Sequence, residues 1–161
     1  MSALAFRPLE ASNKNDCRFV ANIYRLAIAD AGLPPLRYLS NTNIVHDLTE
    51  ITTTHSLVAE LAGRRVATLF LGAHRVLPQV GTIEFISVDA AYRRQGIGRQ
   101  ALAYAEDLMI GDGYDEAMLE SYERNTGAAD FYRNSQWICR GPLFDYPAQL
   151  SWTKHLRKYN A

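Results

Sequence analysis

Residues 92–100 read Y-R-R-Q-G-I-G-R-Q, and this glycine- and arginine-rich stretch decides the fold. It connects an apolar run, 82–88, to a run of helix-forming residues, 101–109. Two glycines ahead of a helix permit a turn whose successive N–H groups converge at the positive end of the helix dipole. Such a turn favours an anion, and a diphosphate has suitable size and charge.

Three kinds of phosphate-binding loop place glycines in a similar way. A Walker A loop needs a Gly-Lys pair, which this sequence does not contain. The dinucleotide pattern G-x-G-x-x-[GA] fits 96–101, and Glu120 follows at roughly the expected 20 residues. In that motif, however, the first glycine follows its strand almost directly, whereas seven residues separate Val88 from Gly96 here. The third pattern, R-x-x-G-x-G at 93–98, meets no such conflict.

A second block of sequence, L-E-S-Y-E-R-N-T-G-A-A-D-F-Y-R-N-S-Q-W, occupies residues 119–137. Together, the two blocks resemble the GNAT superfamily of acyl-CoA-dependent N-acetyltransferases. The family's helix pattern N-x-x-A-x-x-[LF]-Y is matched by Asn125, Ala128, Phe131 and Tyr132. Gln136 and the tryptophan after it replace the usual Gly-Phe pair, so the turn after this helix departs from the pattern.

Composition narrows the class of protein. The 161 residues suit one domain, predicted over 1–161, and 17 basic side chains balance 17 acidic ones. A neutral chain has no overall field that attracts nucleic acid or an anionic membrane. Two cysteines, Cys17 and Cys139, fit neither a disulfide framework nor a zinc cluster, and no signal-peptide core begins the chain. We expect a cytoplasmic protein without metal, nucleic acid or membrane span.

Hydrophobic periodicity predicts the element order β-α-α-β-β-β-α-β-α-β-β. The predicted strands are 3–6, 56–61, 66–71, 82–88, 116–121, 138–143 and 149–153, and the predicted helices are 16–31, 43–50, 98–109 and 127–134. This order is typical of an α/β (α+β mixed sheet) fold with helices on both faces. The resemblance further implies a mostly antiparallel central sheet, splayed between strands 4 and 5.

The resemblance also implies the cofactor, acetyl-CoA, with coenzyme A as product. It implies that the strand ending at Val88 carries a β-bulge and splays from the strand ending near Ser121, which would free backbone groups of Ile86, Ser87 and Val88 to hold the pantetheine arm. The Val88 N–H would polarise the thioester carbonyl. The remaining cofactor contacts implied are Arg93, Arg94, Gln95, Gly96, Ile97, Gly98 and Arg99 in the first block, with Asn125 and Phe131 in the second.

Acetyl transfer to an amine requires removal of a proton, because an alkyl ammonium has a pKa of about 10.4. By resemblance, Tyr132 is the general acid that protonates the departing thiolate. Two carboxylates are candidates for the base: Glu84 interrupts an apolar strand, and Glu120 lies twelve residues before Tyr132, as in relatives that acetylate protein N-termini. We favour Glu84 over Glu120, with a water relay as a further alternative.

The acceptor amine stays open at the level of sequence. The resemblance places its pocket in 24–49 and 141–152, where the aromatic and acidic candidates are Tyr24, Tyr38, Phe144, Asp145, Tyr146 and Trp152. Such a pocket suits a small-molecule or peptide amine. A non-catalytic acyl-CoA-binding sensor or partner module is the alternative to an enzyme. Exposed final strands would favour pairing of two subunits as a homodimer.

Overall fold

The computed structural model describes residues 3–37, 39–50 and 53–157. These residues form seven strands: β1 Leu4–Pro8, β2 Thr53–Leu61, β3 Arg64–Ala73, β4 Val80–Val88, β5 Glu116–Tyr122, β6 Ile138–Pro142 and β7 Gln149–His155. The helices are α1 Lys14–Asp30, α2 Asn41–Glu50, α3 Ile97–Gly111 and α4 Thr126–Asn134. The predicted order of strands and α-helices is confirmed. A short 3-10 turn, Ala90–Tyr92, was not predicted.

The strands form one sheet in the order β1-β2-β3-β4-β5-β7-β6. All neighbours are antiparallel except β4 and β5, which run parallel. Parallel neighbours require a crossover connection, and α3 supplies it. The predicted mixed, mostly antiparallel sheet is therefore confirmed.

A period of two along the strands separates two apolar clusters. Leu69 and Leu71 of β3 face a cluster that includes Leu102 of α3, whereas Phe70 between them faces a cluster with Val20 of α1. Because successive side chains of a strand point to opposite faces, α1 and α2 cover one face and α3 and α4 the other. Helices on both faces were predicted, and this arrangement is confirmed.

A buried ionic network ties the first strand to the first helix. The Asp16 carboxylate is 0% exposed and accepts hydrogen bonds from Arg7 at 2.7 and 2.8 Å and from Arg65 at 2.6 Å. The backbone N–H of Glu10 also donates to it, at 3.1 Å, and Arg7 reaches Glu60 at 2.9 Å. The Arg7 hydrogen bonds hold the pKa of Asp16 well below its usual range, although burial acts in the opposite direction.

Three helices end in the same kind of turn. The residue after the C-cap has a positive φ in each case, 72° at Gly32, 95° at Gly113 and 67° at Gln136. After α4, the Trp137 N–H donates to the Tyr132 carbonyl at 2.9 Å, the long hydrogen bond of a Schellman turn. Gln136 therefore adopts the left-handed conformation that glycine would adopt more readily. The turn after α4 is preserved, although Gln136 replaces the glycine of the family pattern.

Substitution of Asp16 by asparagine is expected to lower the free energy of unfolding by about 3–5 kcal/mol, because it leaves two arginines without their buried partner. The matched control is Asp130→Asn, whose carboxylate is 74% exposed in a surface pair and should matter by less than about 1 kcal/mol. Urea unfolding at neutral pH measures both. Equal effects of the two variants would contradict a structural role for the network.

The Asp16 network also predicts a pH dependence. Its folded-state pKa is depressed, so its stabilising contribution is present above the unfolded-state pKa of about 3.9. The contribution is lost as the pH falls from there through the lower folded-state pKa. The difference in unfolding free energy between wild type and Asp16→Asn should accordingly shrink in acid.

Substitution of Gln136 by glycine is expected to raise the free energy of unfolding by about 1 kcal/mol, because a side chain in the left-handed region costs that much. Ser135→Gly is the control, since Ser135 has a φ of −95° and gains nothing from glycine. Thermal and urea unfolding compare the two variants. If Ser135→Gly stabilised the protein and Gln136→Gly did not, the left-handed conformation of Gln136 would not be the source of strain.

Candidate active site

The sheet opens between its two parallel strands. The β4–β5 register runs as far as Ile83 and Leu119 and stops there, although β4 continues to Val88 and β5 to Tyr122. At the same point, the β3–β4 register shifts and leaves one extra residue in β4, Glu84, without a partner. A β-bulge bends its strand and increases the local twist, which carries the end of β4 away from β5.

The bulge also reverses which residues of β4 face each helix layer. Ile83 packs in the cluster beneath α3, whereas Phe85 packs in the cluster beneath α1, 5.3 Å from the Tyr24 ring. Residues two apart on a regular strand would share one face. The extra residue, Glu84, therefore turns Phe85 over, and its own carboxylate accepts a hydrogen bond from the Thr82 hydroxyl at 2.6 Å.

Backbone groups at the end of β4 face the gap between the strands. The Asp89 N–H donates to the Val66 carbonyl of β3 at 2.8 Å. Backbone polar groups alternate sides along a strand, so Ser87 also points to β3, and Ile86 and Val88 point into the gap. These are two of the residues for which the sequence predicted free backbone groups, and Ser87 points the other way.

A cleft of about 260 Å³ occupies the gap. Its lining comes from α1, β4, β5, the start and middle of α4, and β7: Tyr24, Ala27, Ile28, Ala31, Ile83, Glu84, Phe85, Ile86, Leu119, Glu120, Ser121, Tyr122, Asn125, Ala128, Tyr132 and Gln149. The cleft thus brings together the three residues to which the sequence assigned catalytic roles, Glu84, Glu120 and Tyr132.

Tyr132 enters this cleft from α4. Its ring is 7% exposed and lies 5.7 Å from the Trp152 ring and 6.2 Å from the Trp137 ring, centroid to centroid. Burial raises the pKa of Tyr132 to about 12. Its hydroxyl makes no hydrogen bond to the described residues. Every fully buried polar side-chain atom among those residues does have a partner, so the Tyr132 hydroxyl is not fully buried and opens into the cleft that Tyr132 lines.

A second, partly buried ion pair holds the end of α4 in place. The Glu106 carboxylate of α3 accepts from the Trp137 indole N–H at 3.1 Å and from the Lys154 ammonium of β7 at 2.9 Å. Lys154 also donates to the Ser135 carbonyl, the C-cap of α4, at 2.9 Å. Because Trp137 in turn bonds to the Tyr132 carbonyl, this cluster fixes the backbone from which the Tyr132 side chain projects.

The two glutamates differ electrostatically. Partial burial raises the pKa of Glu120 above its ordinary value, although the residue keeps an exposed surface, and the negative charge of Glu84 raises the pKa further. Glu120 lies on β5 opposite Ser151 of β7, and Glu84 lies across the gap on β4. A carboxyl group with a raised pKa holds a proton more readily, which is the property a general base needs.

The start of α3 presents unbonded N–H groups. Gly96, with a φ of 78°, is the N-cap and makes no side-chain capping bond. The first N–H to donate within the helix is that of Gln100, to the Gly96 carbonyl at 3.1 Å. The N–H groups of Ile97, Gly98 and Arg99 precede it and have no intrahelical partner.

Gly98 lies where this turn, β4 and α4 meet. A Cβ atom there would stand 3.6 Å from the Phe131 ring and 3.7 Å from a Val88 methyl group. Asn125 caps α4, its side chain accepting from the Ala128 N–H at 3.0 Å, and it lines the cleft. Phe131 and Asn125 are thus close to the predicted diphosphate turn and to the gap, respectively.

The arginines of the turn have separate surroundings. Arg93 donates to the Val88 carbonyl at 3.2 Å and lies 3.7 Å from the Asp30 carboxylate of α1. Arg94 adopts a positive φ of 66°, and Gln95 continues the bend to the glycine that caps α3. The Arg99 side chain lines another cavity, of about 300 Å³, between α3, the end of α4 and β7.

The residues predicted to form the acceptor pocket lie in different parts of the structure. Tyr24 lines the cleft, but Trp152 is fully buried beneath Tyr132, and Phe144 is fully exposed in the β6–β7 connection. Asp145 and Tyr146 are exposed in the same connection, and Tyr38 lies outside the described residues. Sequence reasoning missed Tyr122, although its position two residues after Glu120 on a strand indicated that it shares a face with that residue.

Residues 3–37, 39–50 and 53–157 contain no group of three or more His, Cys, Asp or Glu side chains that could hold a metal ion. None of their helices is long and apolar enough to cross a membrane.

Residues 20–135 match the sequence profile of the Acetyltransferase (GNAT) family, and the chain therefore belongs to this family. N-alpha-acetyltransferase 30 of Xenopus laevis is 28% identical over 127 residues, which cover 79% of this chain. The chain spans only 45% of the length of that relative.

Solved structures agree with the fold. The ribosomal-protein-S18-alanine N-acetyltransferase of Escherichia coli superposes with a TM-score of 0.70 at 19% identity, covering 99% of both chains. The yncA protein of Salmonella typhimurium, solved with its cofactor acetyl-CoA, has a TM-score of 0.71 at 18% identity and covers 99% of this chain and 97% of its own. The family's mixed α/β fold, splayed between strands 4 and 5, is therefore confirmed.

The coupling of the two glutamates is open to direct measurement. In Glu84→Gln, the pKa of Glu120 is expected to fall towards its ordinary value but to stay above it, because burial is the larger cause. Carboxyl-carbon NMR titration measures this pKa. Glu123→Gln, an exposed residue just beyond β5, is the control and should leave the pKa of Glu120 unchanged. An unchanged value in Glu84→Gln would mean that the two carboxylates do not interact.

Proposed function

We propose that this protein transfers an acetyl group from acetyl-CoA to a primary amine of a peptide or small molecule, by direct attack in a ternary complex. The main support is the cleft itself, which combines a carboxyl group of raised pKa, Glu120, with the open hydroxyl of Tyr132. Family membership and the similarity to an N-alpha-acetyltransferase support the same reaction.

The residues at the start of α3 fit the diphosphate of acetyl-CoA. Three N–H groups, from Ile97, Gly98 and Arg99, stand at the positive end of the helix dipole, where an anion is favoured. The backbone groups of Ile86 and the Val88 N–H, which face the gap, fit the amide-containing pantetheine arm, whereas the Val88 carbonyl accepts from Arg93. Acetyl-CoA supplies an acetyl group that is already activated as a thioester.

Glu120 is our proposed general base, which reverses the preference drawn from sequence. An ammonium group of pKa about 10.4 must lose a proton before it attacks, and a carboxylate accepts it more readily as its own pKa rises. The pKa of Glu120 is raised by burial and by Glu84. Glu84 is then the second carboxylate, whose charge keeps Glu120 basic.

Tyr132 is our proposed general acid. With a pKa raised to about 12, its phenol is protonated at neutral pH and available as a donor. Its ring is held between Trp137 and Trp152, so the hydroxyl has a defined position in the cleft. A donor fixed near the leaving group lowers the cost of expelling a thiolate.

A binding module that holds acyl-CoA without turnover is the second candidate. Such a protein needs the turn before α3 and the gap beside β4, but it has no need of Glu120 and Tyr132 on the walls of one cleft. The presence of both residues there favours the enzyme. A cytoplasmic location and a homodimer formed through the β6 edge remain predictions.

Tyr132→Phe separates the two candidates. Turnover, followed by thiol release with acetyl-CoA and an amine acceptor, should fall about 10²-fold because the proton donor is lost. Calorimetric affinity for acetyl-CoA should change by less than about twofold. The matched control is Tyr104→Phe, since Tyr104 stacks on Phe6 at 3.9 Å and lies outside the cleft lining. Unchanged turnover in Tyr132→Phe would remove this tyrosine from the mechanism.

The proposed diphosphate turn is tested by Gly98→Asp. A carboxylate there meets Phe131 and Val88 and repels the diphosphate, so affinity for acetyl-CoA should fall by about tenfold or more. Arg99→Ala should weaken binding less, because its backbone N–H is retained and its side chain lines another cavity. Calorimetry measures both, and circular dichroism confirms folding. The reverse order of effects would count against this turn as the diphosphate site.

A further inference from the structure

The charged residues that line the cleft, among those the structure describes, are all acidic. Among the described residues that line it, two are glutamates and none is lysine or arginine, although the whole chain has 17 side chains of each sign. The arginines Arg93 and Arg94 lie instead in the turn before α3. The acceptor end of the cleft is therefore negative, while the turn proposed to hold a diphosphate is positive.

Neither glutamate in the cleft is neutralised by a described side chain. The salt bridges of the described residues include neither Glu84 nor Glu120. Glu84 is held by the Thr82 hydroxyl at 2.6 Å, which orients the carboxylate but does not cancel its charge. Two carboxylates thus share a space of about 260 Å³ without a cationic partner.

The other walls of the cleft suit a cation. Tyr24 and Tyr122 contribute aromatic rings from α1 and β5, and aromatic faces attract ammonium groups. Asp47 of α2 adds a further negative charge that acts on Tyr24, whose pKa is raised first by burial and then by Tyr122 and Asp47. The Tyr132 side chain is more than nine-tenths buried, its hydroxyl has no partner among the described residues, and it points into the same space.

Charge balance decides what such a cleft prefers. Both glutamates are exposed in the free protein, and an acceptor bound in the cleft would cover them. An acceptor with one ammonium group then compensates one carboxylate and leaves the second covered without a partner, which is unfavourable. Once Glu120 has taken the proton, the reacting amine is neutral, so a single-charge acceptor leaves Glu84 unpaired. A second positive charge on the acceptor would remain paired with Glu84 before and after proton transfer.

We propose that Glu84 binds a second positive charge on the acceptor, so that the preferred substrates are amines carrying two cationic groups. This inference rests on the proposed acetyl transfer and names its substrate class. Glu84 is the specificity-determining residue, and Glu120 acts on the reacting amine. The second charge can belong to a diamine or to a basic side chain next to a peptide N-terminus, because the two share the chemistry that Glu84 recognises.

The test compares acceptors that differ only in the second charge. One arm uses 1,4-diaminobutane against 4-amino-1-butanol, and the other uses the peptide Ser-Lys-Ala-Ala against the same peptide with norleucine in place of lysine. In the wild-type protein, kcat/KM should favour the dicationic acceptor by about tenfold or more in at least one arm, mainly through KM. The arm that responds identifies the source of the charge.

Substitution of Glu84 by glutamine should reduce that preference to about twofold or less, since glutamine keeps the size of the side chain and loses its charge. Glu123→Gln, outside the cleft lining, is the matched control and should retain the preference. Equal kcat/KM for charged and uncharged partners in the wild type, or a preference that survives Glu84→Gln, would overturn the assignment.

Binding measurements keep this inference separate from the proposed function. Calorimetry of 1,4-diaminobutane and 4-amino-1-butanol, each with coenzyme A present, should show the same preference and its loss in Glu84→Gln without any turnover. Turnover without preference contradicts only the role of Glu84. Preference in binding without turnover for any acceptor contradicts acetyl transfer while supporting the cation site.

Discussion

The interruption of pairing between β4 and β5, after Ile83 and Leu119, is the constraint on which the candidate site depends. One extra residue, Glu84, bends β4 away, frees backbone groups on its edge and opens a passage between the two helix layers. Tyr132 reaches that passage from one layer and Tyr24 from the other. A regular strand would close the sheet and leave these residues on opposite sides of it.

Such an opening removes strand pairing from the middle of the sheet, and ion pairs on both faces of the sheet connect the surrounding elements. Asp16 holds β1, α1 and β3 together on one side, and Glu106 with Lys154 holds α3, α4 and β7 on the other. Both are ion pairs with little solvent access, where loss of one partner is costly. The left-handed conformation of Gln136 is tolerated in this setting because the turn that it closes is bonded on both sides.

Sequence reasoning succeeded where the signal is local. Helix and strand periods predicted the element order, and the turn at 92–100 was recognised from glycines next to a helix. The family resemblance implied a bulge in β4, but its position at Glu84 and the turn of Phe85 towards α1 could not be foreseen, because no residue type marks a bulge. The sequence-based preference for Glu84 over Glu120 as the base could not take account of their relative basicity, which depends on burial and on the distance between two strands.

By itself, the sequence determined the mixed α/β architecture, the family motifs and the residue types available for acid and base chemistry, because periodicity and short motifs depend on neighbours along the chain. Only the tertiary structure decided that Glu84, Glu120 and Tyr132 share one cleft and that Trp152 supports Tyr132 from within the core. It also decided that none of the described residues lining the cleft is lysine or arginine. Those facts depend on where strands pair and where pairing stops, which is a property of contacts between segments distant in sequence.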